Sequence, residues 1–489
     1  MKMTLKPTLA IFAAGLVLTA CAHYSNSKAA ARLIGGLETS AKASTVETVS
    51  GPIAGYVDDG VYIYKGIPYG EAQRFMPPTD PEPWSEVRSC RSYGPVAPHP
   101  ARKGWRDDKQ AFTMHWDDGY PGEDCLRLNI WTSRIKADAR MPVMVWLHGG
   151  GFSEGSSQEQ AGYDGTNLAR DHGVVVVSLN HRLNVLGFLD LSAYGAKYAY
   201  SGNVGMMDIV KALEWVKANI SAFGGDPSNV TVFGQSGGGG KVSTLMAMPS
   251  AKGLFHKAIV QSGSITHLMQ PKYSRRIGAA TVAALGLKSS EVDKLADIQY
   301  ERLLDAYHEA IQQVREEARQ DGALPSNFLD MIMFGGKPVV DGEVIPAQPF
   351  SPEALALSKE VPTIIGTVYH EFTRDQEDSI FKPLARQQAA DRTSANCAPV
   401  YFYQFTWETP VLDGALGSPH CIDIPFVFDN VLRHRTFTGG GEDAVELGHR
   451  VSSLWTSFAK TGKPDADGMP DWEPWPDILK INLNSELEK

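Results

Sequence analysis

The stretch VTVFGQSGGGG, residues 230–240, decides how this chain is read. Val-Thr-Val-Phe is a short β-rich apolar run, and the glycines after it end the strand and open a helical stretch. Ser236 stands at the turn between them, with glycine two residues before it and directly after it. A strand-to-helix elbow of this kind holds its serine in a strained conformation, lifts the hydroxyl above the sheet and aims the first helix amides at the same point. Gly-x-Ser-x-Gly arises by chance in a chain with 47 glycines, so the strand-turn-helix context carries more weight than the five letters.

Upstream, MPVMVWL (141–147) reads as another buried strand and runs directly into His148-Gly149-Gly150-Gly151-Phe152. Consecutive glycines expose backbone N–H groups with no side chain in the way. That is what an oxyanion needs when a carbonyl is attacked, and the amide of Gly237 adds a further donor. Further strands are expected at 174–179, 258–260, 363–367 and 400–407, several of them continuously apolar as in a parallel sheet covered on both faces. Ile209, Leu213, Val216 and Ile220 recur at helical spacing, and so do Leu447, Val451, Leu454, Trp455 and Phe458. Strands alternating with helices predict an α/β sheet with helices on both faces. Residues 301–321 form a charged helical pattern, either an inserted cap or a surface helix. Repeats, low-complexity blocks and composition breaks are not found, so residues 51–489 read as one domain.

The remaining chain statistics narrow the function. Hydrophobic residues make up 43% and charged residues 21%, enough for a large core and against a disordered chain. Lys and Arg number 46 against 56 Asp and Glu, a net charge of −10 without any basic run, which argues against nucleic acid as a partner. CxxC, HExxH and carboxylate-rich loops are not found, so neither a metal nor a cofactor is expected. Lys2 and Lys6, followed by an apolar run over 9–18, form a signal segment too short to span a bilayer. Leu18-Thr19-Ala20-Cys21 is similar to a lipobox, which makes 1–20 a lipoprotein signal peptide, Cys21 the lipidated residue and 21–50 a flexible tether. The expected location is extracytoplasmic, at the periplasmic face of an outer membrane, with the lipid as the only membrane contact.

The chain resembles the type B carboxylesterases, the branch of the α/β hydrolases that includes the cholinesterases. The resemblance rests on YKGIPYGEAQRFMPP (64–78), EDCLRLNIW (123–131), NHRLNVLGFL (180–189), GNVGMMD (202–208), FGGDPSNVTVFGQSGGG (223–239) and GLFHKAIVQSGS (253–264). It implies an α/β-hydrolase fold, with a large mostly parallel central sheet, flanking helices and inserted cap or loop segments. It also implies a triad completed by Glu371 in TIIGTVYHEF (363–372) and His420 in SPHCIDIPFVF (418–428), with Asp375, Glu377 and His370 as nearby rivals. Gly150, Gly151 and Gly237 are the implied oxyanion hole, and Cys90 and Cys125 an implied disulfide. Cys397 and Cys421 are expected to be free.

Three departures from the family pattern stand out. Gln235 replaces the usual Glu beside the serine, Gly237-Gly238 replaces Ala-Gly, and the Glu371–His420 interval is short at 49 residues. The reading that follows is a serine hydrolase of small carboxylic esters acting through an acyl-enzyme. Two alternatives stand beside it: a silent binding module on the same fold, and hydrolysis of amide, carbamate or polyester bonds.

Overall fold

The computed structural model describes residues 36–100, 108–117, 119–265, 267–324, 334–375 and 378–489. Its core is a mixed sheet, eleven strands among the described residues. In chain order these are β1 (Tyr56–Asp58), β2 (Val61–Pro68), β3 (Arg127–Thr132), β4 (Met141–Leu147), β5 (Val175–Leu179), β6 (Gly225–Gln235), β7 (Lys257–Gln261), β8 (Thr363–Val368), β9 (Val400–Phe405), β10 (Ile478–Ile481) and β11 (Glu486–Glu488). Their spatial order is β11-β10-β9-β8-β7-β6-β4-β5-β3-β2-β1. The run from β5 through β4 and β6 to β10 is parallel, and the strands at either flank are antiparallel.

Apart from β10, which the sequence did not reveal, the parallel strands are those expected, because their apolar runs are buried on both faces: β5, β8 and β9 have no residue that is not buried. The antiparallel flank was less legible. In β2 buried and half-exposed residues interleave, and a register shift between Tyr64 and Ile67 interrupts its pairing with β3.

The main helices are α1 (Val204–Asn219), α2 (Gly237–Leu245), α3 (Pro271–Ala284), α4 (Tyr300–Gln320), α5 (Lys382–Ser394) and α6 (Glu442–Thr461). The stripe of α1 ends at Gly224 and that of α6 at Gly462, both left-handed glycines that close a helical segment. Leu304, Tyr307, Ile311 and Val314 of α4 are buried in a third apolar cluster that includes Tyr273, Ile277 and Val282 of α3. The charged helix is thus packed on another helix.

Two expectations need correcting. The span 21–50 is not all tether: Ala41–Ser44 forms a helical turn, and Thr45–Thr48 pairs antiparallel with Gly51–Ala54. Buried Val46 and a hydrogen bond from the Ser44 hydroxyl to the Gly55 carbonyl tie this segment into the domain. Cys90 and Cys125, moreover, are both free thiols. Each is buried in the core, and burial raises their pKa values to about 11 and about 12, which suppresses the thiolate that disulfide exchange needs. Cys397 and Cys421 are likewise thiols outside any disulfide. Cys21 and the signal segment lie outside the described residues.

Candidate active site

The carboxyl ends of β4, β6, β7 and β8 converge where an open α/β sheet ordinarily binds its ligand. Ser236 follows β6 directly and caps the start of α2, with φ 56° and ψ −125°. A non-glycine residue held there costs about 1–3 kcal/mol and persists only where its neighbours over-determine it. Here the Ser236 N–H donates to the Gln261 carbonyl at 2.8 Å, pinning the turn to the end of β7. Ser262 (φ 44°), Glu371 (φ 54°) and Cys421 (φ 74°) are strained in the same sense around the same site.

Packing against this turn is backbone against backbone. A methyl group on Gly237 would lie 2.2 Å from the Gly151 carbonyl oxygen and 2.4 Å from its nitrogen. One on Gly238 would lie 2.0 Å from the Leu147 carbonyl. The glycine at 237, where the family carries alanine, therefore lets the loop after β4 approach more closely than a side chain allows. Gly150 and Gly151 have φ of +81° and +64°, a region that favours glycine. The amides of Gly150, Gly151 and Gly237 find no acceptor among the described residues. Asn184 props the loop, donating its amide N–H to the Phe152 carbonyl and its side chain to that of Ser153.

Glu371 and His420 come from loops that pair locally. The His370 N–H donates to the Ser418 carbonyl, Glu371 bridges Pro419, and the His420 N–H donates to the Glu371 carbonyl at 2.7 Å. This bridge sets the side chains face to face, with His420 Nδ1 donating to Glu371 Oε2 at 2.5 Å. Glu371 is 2% exposed, and its other oxygen accepts from the Ser262 and Ser379 hydroxyls at 2.9 and 2.7 Å. Of its rivals, His370 spends its Nδ1 accepting from the Ser418 N–H, Asp375 is exposed, and Glu377 lies outside the described residues.

Phe381 lies parallel to the His420 ring at 5.4 Å between centroids, and Phe372 approaches it at 4.6 Å while 59% exposed. Gln235 is fully buried, and its Nε2 is 3.3 Å from both nitrogens of His420. An atom equidistant at that range sits over the ring face, because an in-plane approach would collide with Cε1; the contact is an N–H donor on a π face. The Cys421 thiol donates to Gln235 Oε1 at 3.2 Å and so orients the amide. Neither Cys421 nor Phe381 was given a role from sequence; the aromatic residues in the short interval were the only available signal. Among the described residues no group of three or more His, Cys, Asp or Glu side chains is arranged to hold a metal.

The strand order, the elbow and the glycine loop define an α/β hydrolase. The chain matches the carboxylesterase family over residues 42–383 and 376–489, two stretches that meet inside the short Glu371–His420 interval. It is 33% identical to para-nitrobenzyl esterase of Bacillus subtilis (strain 168), over 90% of this chain and 95% of that protein. To phenmedipham hydrolase of Pseudarthrobacter oxydans it is 32% identical, over 87% of this chain and 91% of that one. A solved esterase from anaerobic Clostridium hathewayi, which can hydrolyze aliphatic aromatic polyesters, superposes with a TM-score of 0.80 at 32% identity, covering 91% and 95% of the two chains. The chain belongs to the carboxylesterase family and is a carboxylic ester hydrolase.

The Gly237–Gly151 contact yields a prediction. Gly237→Ala is expected to push the 149–151 loop and its backbone N–H donors away from the Ser236 turn and to lower kcat for a small aryl ester by about 10- to 100-fold with little change in KM. Steady-state kinetics with a thermal melt check it; an unchanged kcat would show that the loop yields freely.

Proposed function

We propose that Ser236, His420 and Glu371 form the catalytic triad, with the amides of Gly150, Gly151 and Gly237 as the oxyanion hole. The observation that carries this reading is the buried Glu371–His420 hydrogen bond beside three unsatisfied amides at a strained serine. With Nδ1–H bonded to a carboxylate, Nε2 of the neutral ring is left as the base. It takes the Ser236 proton as Oγ attacks the ester carbonyl, and the three N–H groups receive the negative oxygen. The imidazolium, stabilised by Glu371, then protonates the departing alcohol, and water repeats the cycle on the acyl-enzyme. Ser262 and Ser379 stop the carboxylate from rotating away.

The proposed substrates are small uncharged carboxylic esters. Support comes from neutral Gln235 beside the serine and from the exposed Phe372 next to His420, an apolar surface for an acyl or aryl group. Polyester cleavage, which the solved Clostridium hathewayi esterase carries out, would use the same machinery, as would amide or carbamate cleavage.

Ser236→Ala is expected to abolish turnover of a short-chain aryl ester while leaving the melting temperature within a few degrees, because it removes one hydroxyl and no core volume. Activity within about tenfold of wild type would remove Ser236 as nucleophile.

Gln235→Glu puts a carboxylate over the ring face. A unit charge at about 5 Å is worth up to ~3 kcal/mol at an effective dielectric of 20, less where water screens it. It favours the protonated imidazole, so the acid limb of the kcat/KM profile is expected to move to higher pH. The ratio of choline ester to equal-sized neutral ester should rise as well. A wild type that already prefers the choline ester a hundredfold would overturn the neutral-substrate reading.

The proposal extends to location. Cys21 would carry lipid and hold the enzyme on an extracytoplasmic membrane face, on the strength of the signal-like residues before it. Among the described residues no helix is long and apolar enough to cross a membrane. Mass spectrometry of the mature amino terminus should find an acylated Cys21 that Cys21→Ala or globomycin abolishes; a free terminus starting elsewhere would refute it.

A further inference from the structure

Lys241 lies five residues beyond Ser236 on α2 and is completely buried. A buried ammonium must find acceptors, and an apolar side chain of similar volume would avoid its desolvation penalty altogether. Its Nζ donates to the carbonyl of His148 at 2.8 Å. That carbonyl opens the glycine loop, and a methyl group on Gly238 would lie 2.9 Å from it. One side chain thus joins the helix that begins with the Gly237 amide to the loop that carries Gly150 and Gly151.

The charged and titratable groups facing this amine are Glu159, His148 and His181. Glu159 is buried, accepts from the Tyr163 hydroxyl at 3.0 Å and acts on Lys241 as the opposing charge. The two imidazoles stack at 5.3 Å between centroids, and each Nδ1 donates to a carbonyl, of Gly149 and of Arg182, at 2.9 Å. Burial, and secondarily the charge of Lys241, holds both rings well below the usual histidine range, so they stay neutral.

We propose that Lys241 is a positioning residue of the oxyanion hole: its ammonium clamps the His148 carbonyl, keeps the Gly150 and Gly151 amides in register with that of Gly237, and adds positive charge behind the developing negative oxygen. The inference rests on the triad and oxyanion assignment above. Burial lowers the amine to about pKa 7, with Glu159 opposing the shift. The sign follows: the charged clamp is present at low pH and lost as pH rises through the amine's titration. Because His420 must be neutral to act, kcat gains an acid limb from the histidine and an alkaline limb from Lys241.

The test uses the full chain with a neutral aryl ester and a trifluoromethyl ketone as transition-state analogue. Lys241→Met is expected to lower kcat about 10- to 100-fold with KM within about twofold, to weaken the ketone in step, and to erase the alkaline limb. Lys241→Arg should recover part of the rate and carry the limb to higher pH, because guanidinium does not deprotonate in the working range. Should the methionine variant fail to fold, the arginine variant and the wild-type profile decide. A wild type without an alkaline limb in kcat up to about pH 9 overturns the proposal, and so does a methionine variant that retains that limb or keeps kcat within twofold. Ser236→Ala run in parallel separates the two claims: an active Ser236→Ala protein defeats the triad reading itself, whereas an inactive one beside a wild-type-like Lys241→Met protein defeats only the role of Lys241.

Discussion

Everything at the carboxyl edge of the sheet depends on main chain meeting main chain at the Ser236 turn. Methyl groups on Gly234, Gly237, Gly238 or Gly263 would come within 2.0–2.5 Å of backbone atoms from a neighbouring segment. Four segments, the ends of β4, β6 and β7 and the start of α2, therefore share a space that admits no side chain. This closeness, with the Ser236 N–H bonded to the Gln261 carbonyl, fixes the strained serine through the backbone. It also brings the loop amides of Gly151 and the helix amide of Gly237 to one place from strands that are neighbours in space. Preorganisation of this kind counts in catalysis because the donors need not reorganise as charge develops.

The second constraint is the short bridge between residues 370–371 and 418–420. Two backbone hydrogen bonds there do what the intervening chain does not: they choose which carboxylate faces His420 and at what angle. The positive φ at Glu371 is the local strain of that choice, held by the buried hydroxyls of Ser262 and Ser379. The short interval keeps what the pair uses. Ser379 and Phe381 stand just before α5, and Gln388 of that helix bonds both Ser264 and Ser243 of α2, so the wall beside His420 and the helix that follows Ser236 are braced by one element.

Much of this was legible in the sequence, for specific reasons. Continuous apolar runs marked β4, β5, β8 and β9 because parallel strands are buried on both faces, and glycines marked the elbow and the loop because only glycine permits those approaches. The joining of Glu371 to His420 was reachable only through family resemblance, since it rests on a two-residue bridge with no periodicity to read. The flanking strands hid because their patterns mix buried and half-buried positions. The start of the domain was placed too late because Ala- and Ser-rich composition resembles a linker even where Ser44 and Val46 are buried. The implied disulfide was not found, and a pair of cysteines spaced along the chain does not by itself say whether their sulfurs are joined. Phe381, Cys421 and Lys241 were invisible for a related reason: their parts depend on what lies against them.

Charge at the site follows from the same packing. A carboxylate at 235 would sit against the face of His420 and, in the proposed mechanism, would oppose the negative charge of the acyl oxygen while favouring a protonated base. The amide found there does neither, and its N–H directs a positive dipole end at the ring instead. Lys241, bound to the carbonyl that begins the glycine loop, is the proposed source of positive charge in the same region, with buried Glu159 as the opposing group. Both features make the surroundings of the nucleophile less negative than a Glu at 235 with an apolar residue at 241 would. In the proposed mechanism the oxyanion draws its stabilisation from backbone N–H groups and from buried Lys241, an arrangement that calls for no charge on the substrate.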